Sequence, residues 1–207
     1  MSTQLEEDLI RCADLISADW SMQNNYQDCR TNFIYRVSTL DECLERIRLT
    51  GVDKDYALHR WYNYMTSIKC EHIFCEFGAV HDDDIYNHDV DIYINGIPFD
   101  VKVTIYPAKL SDRPYNLRTR QGKNKMIEWY YANQSQQARK QLLNRLYIVC
   151  DGANAYECLK MKSDFTLLRQ KIKAFMESAL TNGVNSITIT DNGRTYKLQS
   201  EIIYIAY

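Results

Sequence analysis

The sequence predicts an α/β fold with a mixed central β-sheet flanked by helices, and three observations carry that expectation. Leu58, Trp61, Met65, Ile68 and His72 recur at the i, i+3, i+4, i+7 spacing of a helix with one buried face. Asn95-Gly96 joins two alternating apolar runs; the pair is preferred in two-residue type I′ turns because both central residues must take positive φ. The uninterrupted run LYIVC, 146–150, follows a helical pattern and reads as a strand buried on both faces.

The elements are expected in this order. Residues 3–18 read as a helix, and NFIYRV, 32–37, as a strand. Thr39 with Glu42 forms a capping box that opens a helix through about Leu49. These residues, 1–54, form an N-terminal accessory layer. A second helix begins near Asp55, with Glu71 on the flank of its apolar stripe, and passes into a strand-like run from Glu76 to Val80. After the polar loop HDDDIYNH come the two strands of HDVDIYINGIPFDVKV, 88–103, then a loop rich in Pro, Arg, Tyr and Asn. Residues 124–144 read as a long helix and 146–150 as the buried strand. The core is thus expected over about 55–150, in the order helix, strand, strand, strand, helix, strand. Residues 151–207 extend it with a helix over 163–180, a hairpin of ITIT, DNG and TYKL, and a closing apolar run, EIIYIAY.

At 207 residues, 45% hydrophobic and 25% charged, with seven glycines and three prolines, the composition is that of one folded domain, neither disordered nor collagenous. The first residues are acidic and lack the basic-then-apolar order of a signal peptide, and no stretch approaches the roughly 20 apolar residues of a membrane span. The expected setting is the cytoplasm, without a membrane partner. The seven cysteines contain no CxxC pair and are expected to be reduced thiols.

Charge is uneven along the chain. From Lys102 to Arg145 there are ten basic residues against two acidic ones, a local charge of +8 in a chain of net charge −2, which leaves −10 elsewhere. Such a block suits a polyanion-binding face. Within it, RPYNLRTRQGKNK places Arg113, Tyr115, Arg118, Arg120, Lys123 and Lys125 after the hairpin as candidate nucleic-acid contacts, with a solvated loop as the alternative. In the following helix Ile127, Tyr131, Ala138 and Leu142 make the apolar stripe. Gln134 and Gln141 fall near its centre, and Gln134 is a further candidate contact.

The type I′ turn fixes a register in which opposing residues sum to 191. Ile92 then faces Phe99 and Val90 faces Val101 on a core face. On the other face Asp91 lies across from Asp100, and Asp89 across from Lys102. Opposed carboxylates repel, and a hard divalent cation removes the conflict, so this surface beside a lysine suits phosphodiester chemistry.

Asp91, then Asp100-Val101-Lys102 after a hairpin, in this element order, resembles the PD-(D/E)XK nuclease superfamily with its restriction-endonuclease-like fold. The tripeptide alone is not specific; the turn, the shared face and the flanking elements give the resemblance its weight, over about residues 55–150. It implies Asp91 and Asp100 as metal ligands, Lys102 as the residue that positions water, and a helix glutamate as a further ligand, Glu71 with Glu76 as the alternative. It further implies Mg²⁺, with Mn²⁺ as a substitute, and a DNA endonuclease of a restriction, defence or repair system. A catalytically silent nucleic-acid-binding protein on the same fold is the alternative. Two departures stand: Val90 precedes Asp91 where the family often has Pro, and the Gln-x-x-x-Tyr element of some members is missing.

Two expectations remain. A homodimer, joined through the C-terminal hairpin, would supply two active sites for cutting both strands. The HDDD loop with His81 and His88 is read first as turn-forming residues and only second as a metal cluster, and His59 and His72 as packed helix residues.

Overall fold

Asn95 and Gly96 adopt φ of 51° and 75°, the left-handed pair that a type I′ turn requires, and the turn closes β2 (Ile92–Ile94) onto β3 (Ile97–Ile105) in the expected register, with Ile92 opposite Phe99. This computed structural model describes residues 3–18, 24–84, 87, 89–133 and 142–206. The remaining strands are β1 (Val80–His81), β4 (Arg145–Cys150), β5 (Ser186–Asp191) and β6 (Arg194–Ile205).

All six strands belong to one sheet, in the order β1-β2-β3-β4-β6-β5. Tight turns make β2–β3 and β5–β6 antiparallel, and β1 joins β2 in the same sense. The connection from β3 to β4 passes over one face of the sheet through α5 (Arg120–Ala132), so β4 returns parallel to β3, and β6 lies parallel to β4. The sheet is therefore mixed.

Helices cover both faces. On one lie α1 (Thr3–Ala13), α3 (Leu40–Thr50), α4 (Lys54–Glu76), α6 (Ala155–Met161) and α7 (Phe165–Asn182); Leu58, Trp61, Ile73 and Phe74 of α4 pack with Phe99, Val101, Leu146, Ile148 and Ile203. On the other, Met126, Ile127 and Tyr131 of α5 pack with Tyr147, Val149, Ile187 and Ile202. Alternation along β4 sends Leu146 and Ile148 one way and Tyr147 and Val149 the other, which is why LYIVC carries no polar position.

The helix starts follow their caps. Thr39 Oγ1 accepts from the Glu42 N–H at 3.2 Å while the Glu42 carboxylate accepts from the Thr39 N–H at 3.2 Å, the capping box expected from sequence; Gly51, at φ 60°, ends the helix. Asp53 Oδ1 caps α4 through the Tyr56 N–H at 2.8 Å.

Several expected boundaries move. The first helix ends at Ala13, before two turn hydrogen bonds, Asp14 N–H to Arg11 O and Leu15 N–H to Cys12 O. Residues 32–36 form a 3₁₀ helix in place of the strand: a short helix, α2 (Asn25–Arg30), feeds straight into it through the Ile34 N–H bonded to Thr31 O. The run from Glu76 to Val80 is not a strand, because α4 continues to Glu76, Gly78 (φ 102°) breaks it, and pairing begins at Val80. The second long helix starts at Arg120, four residues early, because Thr119 caps it through the Gly122 N–H; it ends at Ala132, and residues 142–144 are not helical. The helix over 163–180 is preceded by a separate one, α6, capped by Asn154. TYKL and EIIYI of the closing run belong to a single twelve-residue strand, β6, which ends at Ile205; Tyr207 lies outside the described residues.

Candidate active site

The expected ligand residues meet where β2 leaves β3. The ladder between these strands ends at Ile92 and Phe99, so the expected pairs 91–100, 90–101 and 89–102 do not form. Beyond it the Asp91 N–H still reaches Phe99 O at 2.9 Å, while the Val101 N–H donates to Asp91 Oδ2 at 2.6 Å. A side-chain carboxylate thus takes a hydrogen bond that a longer β2 would have accepted through its backbone. Asp91 is held beside Asp100 as expected, but by a strand end rather than by ladder register.

Glu71 comes to the same place from α4, which packs across β1, β2 and β3. Its side chain is buried, at 7% exposure, and His81 Nε2 of β1 stands 3.4 Å from its Oε2. The His81 ring in turn stacks on His72, centroids 5.7 Å apart and planes within 11°. Burial, and then the neighbouring Asp91 carboxylate, push the Glu71 carboxyl up to about 7, against the pull of His81 and Lys102. Asp91 is also raised, by burial first and by Asp100, while the Val101 N–H works in the opposite direction. Glu71, Asp91, His81 and Lys102 line one open cavity of about 300 Å³, walled on the helix side by Tyr64 and Ser67. Glu76, the alternative glutamate, lies off this cavity, paired to Arg169 at 3.1 Å.

Asp100 is buried and fully engaged. Lys102 Nζ pairs with Oδ1, and Arg145 Nε donates to Oδ2 at 2.6 Å. Arg145, itself buried, arrives from β4 because the parallel register sets it against Asp100. In sequence Arg145 is only one member of a basic block; its role depends on a strand pairing made across 45 residues, which no local pattern encodes.

The polar loop borders the same cavity through Asp82, Asp84 and Asn87. Its contacts are those of turn-formers: Asp82 Oδ1 accepts from the Asp84 N–H at 3.2 Å, and Asn87 Nδ2 donates to Asp82 Oδ2 at 2.6 Å. Asp89, expected across from Lys102, sits in this loop with its N–H on Asn87 Oδ1. His88 lies outside the described residues.

As donors, Glu71 and Asp91 offer hard oxygens on one cavity and suit Mg²⁺ or Mn²⁺, whereas both Asp100 oxygens already face cations, Lys102 and Arg145. In keeping with this, among the described residues no three His, Cys, Asp or Glu side chains converge to hold a metal ion as they stand.

The candidate nucleic-acid contacts are scattered. Arg113 pairs with Asp151 and lies 4.9 Å from the Tyr106 ring centroid; Arg120 and Lys123 both pair with Glu201; Arg118 sits 5.7 Å over the Tyr204 ring. Tyr115 is half-buried against the α5 core rather than presented for stacking, and Lys125 is exposed on α5. Gln134 and Gln141 lie outside the described residues. His59 is buried, as expected of a packed residue.

Comparison with protein-family models, with curated proteins and with solved structures finds no match to this chain. Among the described residues no helix is long and apolar enough to cross a membrane.

Proposed function

We propose that this chain is a metal-dependent phosphodiester hydrolase that cuts DNA, on a restriction-endonuclease-like plan, with Glu71, Asp91, Asp100 and Lys102 as its working residues. The observation that carries this reading is the grouping of Glu71, Asp91 and Lys102 around one cavity, with Asp100 beside them. Two neighbouring carboxylates with raised proton affinity serve no purpose in folding, and a hard divalent cation relieves their repulsion.

Bound by Glu71, Asp91 and Asp100, Mg²⁺ or Mn²⁺ would polarise the scissile phosphate and acidify a water molecule. The chain's own residues supply the rest. Lys102, half exposed at the cavity wall, places a positive charge where negative charge develops on the phosphate oxygens. Val101 fixes the Asp91 carboxylate through its N–H, and His81 next to Glu71 can hold a proton at Nε2. Arg118 and Lys125 are exposed cations available to the DNA backbone. Cutting both strands would call for a second copy of the chain.

Arg145 supports a second reading. A buried guanidinium on the Asp100 carboxylate supplies in protein form the positive charge that a metal would bring, as a catalytically silent nucleic-acid-binding protein would have it. The two readings separate on supercoiled plasmid and single-stranded DNA incubated in Mg²⁺, Mn²⁺ and EDTA, with Asp100→Ala and Lys102→Ala alongside. Metal-dependent nicking lost in both variants supports the hydrolase. DNA binding without cleavage in any metal supports the silent form.

A further inference from the structure

Three buried cations among the described residues differ in what they face. Lys69 pairs with Glu6 at 2.7 Å and Arg145 with Asp100. Lys162, at 5% exposure, follows α6 and turns its ammonium inward, where it donates to Asn63 Oδ1 and lies 5.5 Å over the Tyr62 ring. Neither contact carries a full negative charge. Burial pushes this ammonium down to about 8, with the Cys150 and Cys70 thiols opposing.

Lys162 lines a cavity of about 230 Å³ together with Asn63, its hydrogen-bond partner. The polar lining is Lys162, Asn63, His59 and Thr104; Val103, Ile105 and Leu159 make apolar walls. His59, 2% exposed, is held neutral by burial, against the pull of Asp55. The cavity therefore offers one positive charge, hydrogen-bonding groups around it and apolar surface beyond.

We propose that this cavity binds a small organic monocarboxylate, its carboxylate on Lys162 and its short alkyl chain against Val103, Ile105 and Leu159. An external carboxylate gives Lys162 the partner that the fold gives Lys69 and Arg145. A single carboxylate matches a single ammonium. A phosphate dianion would need more positive charge than these walls carry and would gain nothing from the apolar side. The site shares no lining residue with the cavity around Glu71 and Asp91.

The test is calorimetric titration of the whole protein with sodium butyrate, with sodium phosphate and sodium chloride as controls at matched ionic strength. Butyrate is expected to bind once per chain, and Lys162→Met to weaken it roughly tenfold to a hundredfold, the worth of a hydrogen bond to a charged group. Asn63→Asp is the second variant; it places a carboxylate on Lys162 from within, so it should fold and melt above the wild type, yet lose butyrate. Butyrate no better than chloride, binding that survives in both variants, or phosphate binding in place of butyrate would each overturn the assignment.

Discussion

Glu71→Gln should stabilise this protein at pH 8 when metal is removed with EDTA. The Glu71 carboxyl titrates near 7 in the folded chain against an ordinary value of 4.5, through burial first and Asp91 second. Between those two values the folded state keeps a proton that the unfolded chain has lost, so stability falls as pH rises through the window. Below it both states are protonated and the penalty is gone; above it the penalty is complete. At about 1.4 kcal/mol per pH unit, the ionised carboxylate costs the folded state about 3 kcal/mol. In melting temperature that is roughly 6–12 °C for a chain of this size. Glutamine keeps the shape and an oxygen toward His81 while removing the charge. Thermal melts in EDTA should show the gain at pH 8 and lose it at pH 4.5, and Mg²⁺ should restore part of the same stability to the wild type alone. A variant that melts at or below the wild type at pH 8 refutes the reasoning.

Other substitutions probe the frame around the site. Arg145→Met breaks a buried pair and leaves Asp100 with Lys102 alone; urea unfolding should show a loss of roughly 3–5 kcal/mol, and a loss below about 1 kcal/mol would mean the pair contributes little. Gly122→Ala drives a Cβ into the backbone of Asn116, in the loop that leads into α5, so the loop must shift, and should cost roughly 1–3 kcal/mol in the same assay. If exposed cations carry DNA, affinity should fall steeply with salt, and Arg118→Ala and Lys125→Ala should each reduce the slope of log affinity against log salt by about one.

Much of the frame is legible from residues in sequence because its signals are local. Asn95-Gly96 dictates the hairpin, Thr39 and Glu42 a helix start, and LYIVC a strand covered on both sides, and each forms as expected. The stripe from Leu58 to His72 places Glu71 on the flank that reaches the cavity beside Asp91 and Lys102, while Glu76 pairs with Arg169. Errors arise where a local signal is weak or outweighed. NFIYRV alternates over too few residues to resist the helical turn entering from α2. The start of α5 is set by the Thr119 cap on Gly122, and that of α6 by Asn154 on Glu157; a single side-chain cap is a fainter mark than a full capping box or an apolar stripe. What no local pattern carries is long-range pairing. The Arg145–Asp100 contact joins strands 45 residues apart, while the His81–Glu71 contact between β1 and α4 and the parting of β2 from β3, though closer in sequence, depend on packing that the residue pattern does not announce.

The most direct test is a count of Mn²⁺ bound per chain by electron paramagnetic resonance, in the presence of a short DNA duplex, for the wild type, Glu71→Gln and Asp91→Asn. The site described here predicts a tight Mn²⁺ that the wild type holds and both variants lose. Each substitution removes a charge from the same cavity, and the amide oxygen that Asp91→Asn introduces can still accept from the Val101 N–H, so the loss would report the charge rather than a collapsed strand end. Mn²⁺ held equally by all three, or by none, contradicts it.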